Sequence, residues 1–264
     1  MKPFYRRSIA GLIIFTVGLP FLQLVLWSLA NRWFYPDLLP QQWGWRAWGY
    51  IFDTAGTQII GAVTQSLAVA TVTALVALLL GLPAGRALGL YAFRGKDLIS
   101  VILILPIIVP PLCVSMGLHF WFIRLGLAES FLGVVLVHLT VCLPYTVFVL
   151  WGVFSNYNPD FEDQARSLGA TTTGIVFKVI LPLTLPGLVV AGLFSFLLSW
   201  SQYLATLIIG GGRVTTLPII LFALMSSGDR PVAAAVSIVF VAPAFLALLV
   251  SARYLGRQTM AGIR

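Results

Sequence analysis

The sequence predicts an all-α, polytopic membrane protein with six transmembrane helices and both termini on the cytoplasmic side. Three observations carry that prediction. Of 264 residues, 59% are hydrophobic and only 9% are charged, whereas a soluble domain carries about a quarter charged residues. The 16 basic and 8 acidic residues leave six charge-free windows, at 8–31, 54–85, 98–123, 130–159, 179–212 and 231–252, and no other gap exceeds 15 residues. With the termini inside, the cytoplasmic segments hold 11 of the 16 Lys and Arg residues, and the opposite orientation would invert that ratio. Basic residues near helix ends set orientation, so the net charge of +8 is a topology signal rather than a nucleic-acid surface.

The windows run from 22 to 34 residues. About 20 apolar residues, rising about 1.5 Å each, cross a hydrocarbon core about 30 Å thick. This composition excludes a soluble enzyme and a disordered chain. Cys113 and Cys142 both have apolar neighbours, where free cysteine behaves as a small buried hydrophobe.

Taken in order, the first window follows Lys2, Arg6 and Arg7, and Ser28-Leu29-Ala30 imitates a signal-peptide cleavage site. Its apolar run exceeds the about 7–15 residues of a signal core and contains Pro20, so it reads as an uncleaved helix at about 8–30. The following loop carries Trp33, Phe34, Tyr35, Trp43, Trp45, Trp48 and Tyr50, an aromatic set suited to anchoring at a membrane surface. The second window has Gly61, Ala62, Ala68, Ala70 and Ala74, small residues that let helices approach closely. Pro106, Pro110-Pro111 and Pro144 interrupt the third and fourth windows, and such prolines mark kinked helices beside a cavity or a neighbouring helix. Val214–Gly228 is apolar but too short to cross, so an interfacial or re-entrant helix is expected there. Pro243 lies in the sixth window. The chain is expected to form a single transmembrane domain over 1–264, with its core at about 55–255.

One long inside connection, 155–184, separates the fourth and fifth windows. It begins Asn158-Pro159-Asp160-Phe161-Glu162-Asp163-Gln164-Ala165-Arg166-Ser167-Leu168-Gly169. Asn suits an N-cap and Pro the first helical position. The three acids complement the positive end of the helix dipole, and Gly169 can take the left-handed position that ends a helix. A short helix of about three turns is expected, followed by a second one capped by Thr171, Thr172 or Thr173 and running through Val179 into Leu181-Pro182. Two short helices at a bend suit docking into a partner; a solvated connection has the same caps.

Asp163-Gln164-Ala165, then Gly169, Val179 and Leu181-Pro182, resemble the EAA loop of the inner-membrane permease subunits of binding-protein-dependent ABC importers. That pattern reads Glu-Ala-Ala, three residues, Gly, nine residues, Ile, one residue, Leu-Pro. The spacing agrees throughout; Asp163, Gln164 and Val179 depart from it. Ser66-Leu67-Ala68-Val69-Ala70 and Gly81-Leu82-Pro83-Ala84 also look like the family's second span, so the likeness extends over about 55–255. The resemblance implies a type I importer fold in the bacterial inner membrane, crossing it several times, with no enzymatic activity of its own. It implies that Glu162, Asp163, Gln164, Ala165, Arg166, Leu168, Gly169, Ala170, Leu181 and Pro182 couple to a cytoplasmic ATPase. It further implies two ATP-binding subunits, a second permease chain or a copy of this one, and an extracytoplasmic solute-binding protein. The chain has no Gly-x-x-x-x-Gly-Lys-Ser/Thr loop, so ATP and Mg belong to the partner and no cofactor is expected here.

The windows contain no Asp, Glu, Lys or Arg. Secondary transporters use such groups to bind ions or relay protons, so their absence favours a passage driven from outside the membrane. His119 and His138 are expected to be packed or hydrogen-bonded rather than metal ligands, because no third ligand stands nearby. An intramembrane hydrolase could pair Ser199 or Ser201 with His138, but no carboxylate in the windows would orient the base.

The fifth window holds the densest polar cluster. At helical spacing Ser195, Ser199, Gln202 and Thr206 share one face, with Trp200 and Tyr203 in the same turns. These six are the candidate solute pathway; the alternative is hydrogen bonding between helices. On substrate the resemblance divides. Gly228-Asp229-Arg230-Pro231 and Arg94-Gly95-Lys96 look like the spermidine/putrescine group, which often has an acid where this chain has Ser201-Gln202. Trp200-Ser201-Gln202-Tyr203-Leu204 is also similar to the Trp-Asn-Glu-Phe-Leu of sugar permeases.

Overall fold

A computed structural model describes residues 3–34 and 36–261; Lys2 and Tyr35, named above, lie outside the described residues, as does Arg264, one of the 11 basic residues counted as cytoplasmic. The chain divides into two compact units, one formed by residues 1–63 with 217–243 and the other by 64–216 with 244–264.

The first unit opens with helix α1 (Pro3–Ser28), which continues through Pro20. Where an unbroken loop was expected, a small antiparallel hairpin follows, β1 (Ala30–Arg32) pairing with β2 (Gln42–Trp43). Trp27 stacks on Trp33 with ring centroids 4.4 Å apart. Helix α2 (Arg46–Gly49) and a π turn over Tyr50–Thr54 lead into α3 (Gly56–Leu90). Arg46 grips Asp229 with two hydrogen bonds of 3.0 and 2.7 Å, just before the start of the last helix. The pairing holds the Asp229 carboxyl below its ordinary range and the Arg46 guanidinium above its own.

In the second unit α3 is followed by α4 (Lys96–Ile108) and α5 (Pro111–Arg124). The third window does not form one straight helix, because these two meet at 101°. Pro110 forces Val109 out of the helical region to φ −69°, ψ 135°, and Pro111 then starts α5 at a position needing no N–H partner. Helix α6 (Phe131–Ser155) is capped by the Ser130 hydroxyl, which accepts from the Gly133 N–H at 3.0 Å. It lies at the centre of the core, with Val134, Val135, Val137, Leu139 and Cys142 buried against Val69, Ala77, Phe122, Ala205 and Ile209.

Short helices α7 (Asp160–Ser167) and α8 (Thr172–Ile175) follow, then a π turn over Val176–Ile180, α9 (Leu181–Trp200) and α10 (Leu204–Gly210). The short helix α11 (Leu217–Ser227) falls in the apolar stretch too short to cross, and α12 (Arg230–Ala261) closes the chain. Among the described residues four helical stretches are long and apolar enough to cross a membrane: Gly56–Leu90, Phe131–Ser155, Thr172–Trp200 and Arg230–Leu249. The bent α4–α5 pair makes a fifth if counted as one span.

Close approach of α3 to α6 rests on a glycine row that the sequence reading passed over. A Cβ on Gly81, Gly85 or Gly89 would fall 2.5–2.6 Å from side-chain atoms of Thr146, Leu150 and Phe154 respectively. Both rows repeat every four residues, so each glycine admits one side chain of α6. The Gly-x-x-x-Gly-x-x-x-Gly spacing was the available signal.

Candidate functional site

Two places collect the residues singled out above: the loop between α6 and α9, and the polar stretch after α9. In the loop, the Asn158 side-chain oxygen accepts from the Asp160 N–H at 3.0 Å, so it caps α7 as its residue type suggests. Helix α7 has eight residues, about two turns and not three. It is stopped early by Gly169 at φ +81°, where the Ala170 N–H reaches the Ala165 carbonyl and the Gly169 N–H the Arg166 carbonyl, both at 3.0 Å. That double closure is a Schellman motif, and only glycine enters it without backbone strain.

The faces of α7 are distinct. Glu162 is buried and its Oε2 accepts from Arg86 Nη2 of α3 at 2.6 Å. Ala165 packs beside Phe154, Ile175 and Ile180. Asp163 and Arg166 form an exposed ion pair at 2.7 Å, Gln164, Gly169 and Ala170 are exposed, Leu168 is 88% exposed, and Phe161 also lies in the open. An apolar side chain held out in this way at a rigid stop has the form of a docking knob. Nearby, Tyr157 follows α6, its hydroxyl beside the Glu162 carboxylate. Burial, with the Glu162 charge adding to it, pushes its phenol up to about 12, so Tyr157 stays protonated.

The second short helix of the sequence reading is not separate. Thr171 caps α8, its hydroxyl accepting from the Gly174 N–H at 3.2 Å, but the chain then runs through the π turn into α9 without a bend at Leu181-Pro182. Pro182 lacks an N–H and its ring presses on the preceding turn; a widened turn there absorbs both without breaking the helix. Leu181 is half-buried and Pro182 exposed.

In the polar stretch, the expected continuous helix over 179–212 is interrupted. Helix α9 ends at Trp200, residues 201–203 form a turn, and α10 begins at Leu204. The Ser201 hydroxyl returns to the Leu198 carbonyl, a local bond that competes with helix continuation. Ser195, Ser199, Trp200 and Thr206 are all buried, and Gln202 and Tyr203 are half-buried at the break. Trp200 stacks on Phe196 with centroids 6.0 Å apart.

Most of the polar face meets α6. His138 Nδ1 lies 2.7 Å from the Ser199 hydroxyl and Nε2 lies 2.8 Å from that of Thr206. Thr206 gives its single hydroxyl hydrogen to the Gln202 carbonyl at 3.0 Å, so Nε2 carries the imidazole proton and Nδ1 accepts from Ser199. About two turns further along α6 and one turn back along α9, Thr146 donates to the Cys142 carbonyl and takes the Ser195 hydroxyl hydrogen. His138 thus fulfils the hydrogen-bonded expectation, and Ser195, Ser199 and Thr206 join helices. Gln202 and Tyr203 are left as the pair presented at the break. The sequence signal for this ladder was His138-x-x-x-Cys142-x-x-x-Thr146 opposite Ser195-x-x-x-Ser199, two rows of equal spacing.

Residues 77–260 match the family described as binding-protein-dependent transport system inner membrane component. The chain is 26% identical over 261 residues to the spermidine/putrescine transport system permease protein PotC of Haemophilus influenzae, covering 98% of this chain and 99% of that protein. It is 27% identical over 233 residues to the putrescine transport system permease protein PotI of Escherichia coli K12, covering 85% and 83%. A crystal structure of a bacterial ABC transporter involved in the import of the acidic polysaccharide alginate has the same fold, with a TM-score of 0.71, 18% identity and 95% of each chain covered.

Proposed function

Because the chain belongs to the family of binding-protein-dependent transport system inner membrane components, and so is an inner-membrane ABC importer permease rather than an enzyme, we propose how it performs that work. It crosses the membrane six times, α1 and the α4–α5 pair each counting as one span, with both termini cytoplasmic. It lines the solute path together with a second permease chain or a copy of itself. Two cytoplasmic ATP-binding subunits, carrying ATP and Mg, seat α7 in a cleft, with Leu168 and Phe161 as the apolar contacts and Asp163, Gln164, Arg166, Gly169 and Ala170 around them. Closure of those subunits on ATP moves α7 and shifts the population between inward and outward access. An extracytoplasmic binding protein delivers the solute.

The observation that carries this reading is the shape of α7: a two-turn helix with a Schellman stop, an inward face anchored through Glu162 and Ala165, and an outward face bearing Leu168. For the solute, the relatives transport polyamines by name, and we propose a small polar solute with polyamines as the first candidates. The apolar windows of this chain hold no carboxylate. A polyamine would therefore meet hydroxyl and amide oxygens and the aromatic face of Tyr203 near Gln202, with much of the selection left to the binding protein. A sugar-type solute is the second reading, favoured by that same lack of acidic groups.

Reconstitution of the permease with its ATP-binding subunits and binding protein tests the coupling role. Gly169→Asp places a side chain at φ +81°, at a strain of about 1–2 kcal/mol, and disturbs the stop. The expected outcome is an assembled complex that hydrolyses ATP without driving uptake. Wild-type uptake per ATP in that variant would overturn the assignment of α7.

A further inference from the structure

Among the described residues, Arg86–Glu162 is the ion pair that joins a long apolar helix to the α7 loop. Arg86 is the first charged residue after a charge-free run of 32. It sits between Gly85 and Gly89, whose lack of side chains brings α3 onto the backbone of α6 at Leu150 and Phe154. The root of Arg86 is therefore fixed to two membrane helices. Its tip reaches Glu162 in the first turn of α7, where the Glu162 side chain keeps 7% of its exposure.

The pair is incompletely satisfied. Contact is made through Nη2 and Oε2 alone, while Arg86 Nε, Glu162 Oε1 and the Tyr157 hydroxyl are buried without hydrogen-bond partners. The Arg86 side chain keeps 31% of its exposure, and an ion pair that is half-buried on one side with stranded polar atoms is a poor stability device, since apolar side chains of similar size would hold the fold about as well. What it supplies is position. The other inward contact of α7, Ala165 against Phe154, Ile175 and Ile180, is apolar and non-directional and can slide. A short charge-assisted bond cannot slide without separating two charges in a poorly solvated place.

We propose that Arg86 and Glu162 are positioning residues for energy coupling: they fasten α7 to α3, so that a displacement imposed on the exposed face of α7 is delivered to the membrane helices. This rests on the coupling role given to α7 above. Arg86 acts through Glu162, and Glu162 does so from the face turned away from any docked partner.

The test uses the permease in complex with its ATP-binding subunits, with Cys113 replaced by serine and spin labels at the exposed positions Arg94, in the turn that follows α3, and Asp160, at the start of α7. The α3–α7 distance is measured without nucleotide and with ATP. In wild type it stays single and unchanged by ATP, because both ends move together. In the apolar double variant R86M/E162M, which strands no charge and so folds, ATP broadens or shifts the distance, and solute taken up per ATP falls at least about fivefold. The reversed pair R86E/E162R brings both readouts back toward wild type, and R86K retains most coupling because the contact needs one point charge. An ATP-independent distance and wild-type uptake per ATP in R86M/E162M would overturn the proposal. If ATP drives no uptake by wild type, the transport reading fails; an α3–α7 distance in R86M/E162M that ATP leaves unchanged fails the positioning proposal alone.

Discussion

His138 uses both ring nitrogens, one to accept from Ser199 and one to donate to Thr206, so an apolar replacement strands the buried Ser199 hydroxyl and leaves that of Thr206 with its bond to the Gln202 carbonyl alone. Each buried polar group left unpaired costs about 1–3 kcal/mol. His138→Leu is therefore expected to lower the thermal midpoint of the detergent-solubilised protein by several degrees, and an unchanged midpoint would mean that the ladder contributes nothing. Arg46–Asp229 is a different case, since the two side chains keep 50% and 34% of their exposure. Such a pair contributes at most about 1 kcal/mol. With its folded pKa lowered by Arg46, Asp229 stabilises the first unit above its unfolded pKa of about 4, and that contribution is lost as pH falls through the lower folded value. The stability difference between wild type and Asp229→Asn should thus be small at neutral pH and vanish under strong acid. At this scale the polar residues were legible but their partners were not. Ser195, Ser199 and Thr206 read as one helix face; His138 entered as a partner of Ser199 only in the hydrolase alternative, and nothing local to that face points to its second bond, to Thr206, or to Thr146 opposite Ser195.

Elements were legible where a single residue dictates local backbone. Asn158, Thr171 and Gly169 act at the positions their chemistry suggests, and Pro110-Pro111 break the third window sharply. Elements were misread where two local effects compete. The second short helix looked separate from the fifth span, yet the π turn over Val176–Ile180 joins it to α9 through Pro182. The hydrophobic run over 179–212 looked continuous, yet it breaks at 201–203 where no proline or glycine stands. The α3–α6 contact shows the limit of composition, because small residues were noticed early in α3 while the fit itself lies at Gly81, Gly85 and Gly89. Gly85 and Gly89 are more constrained than Gly81, since a Cβ on either would also come within 3.0 Å of α6 backbone, at Leu150 and Trp151 or at Phe154 and Ser155. Backbone cannot rotate away as a side chain can, so Gly85→Leu is expected to destabilise the second unit by at least the about 1–3 kcal/mol typical of overpacking. Equal thermal stability of this variant and wild type would show that α3 and α6 are less closely held.

For the whole molecule, the placing of few charges is the informative quantity. Acidic groups are gathered on α7 at Asp160, Glu162 and Asp163 and are absent from every apolar window, so the chain has no carboxylate within the windows with which to bind a driving ion. Among the described residues four helices and one bent pair are long and apolar enough to cross a membrane, and the family is one of inner-membrane transport components. The central claim is that energy enters through α7 from an ATP-hydrolysing partner. It is tested most directly by uptake of radiolabelled spermidine and putrescine into proteoliposomes holding the full complex, with ATP and an ion gradient imposed separately. Uptake that requires ATP and persists when proton and sodium gradients are collapsed is the predicted result. Uptake driven by a gradient in the absence of ATP would contradict it.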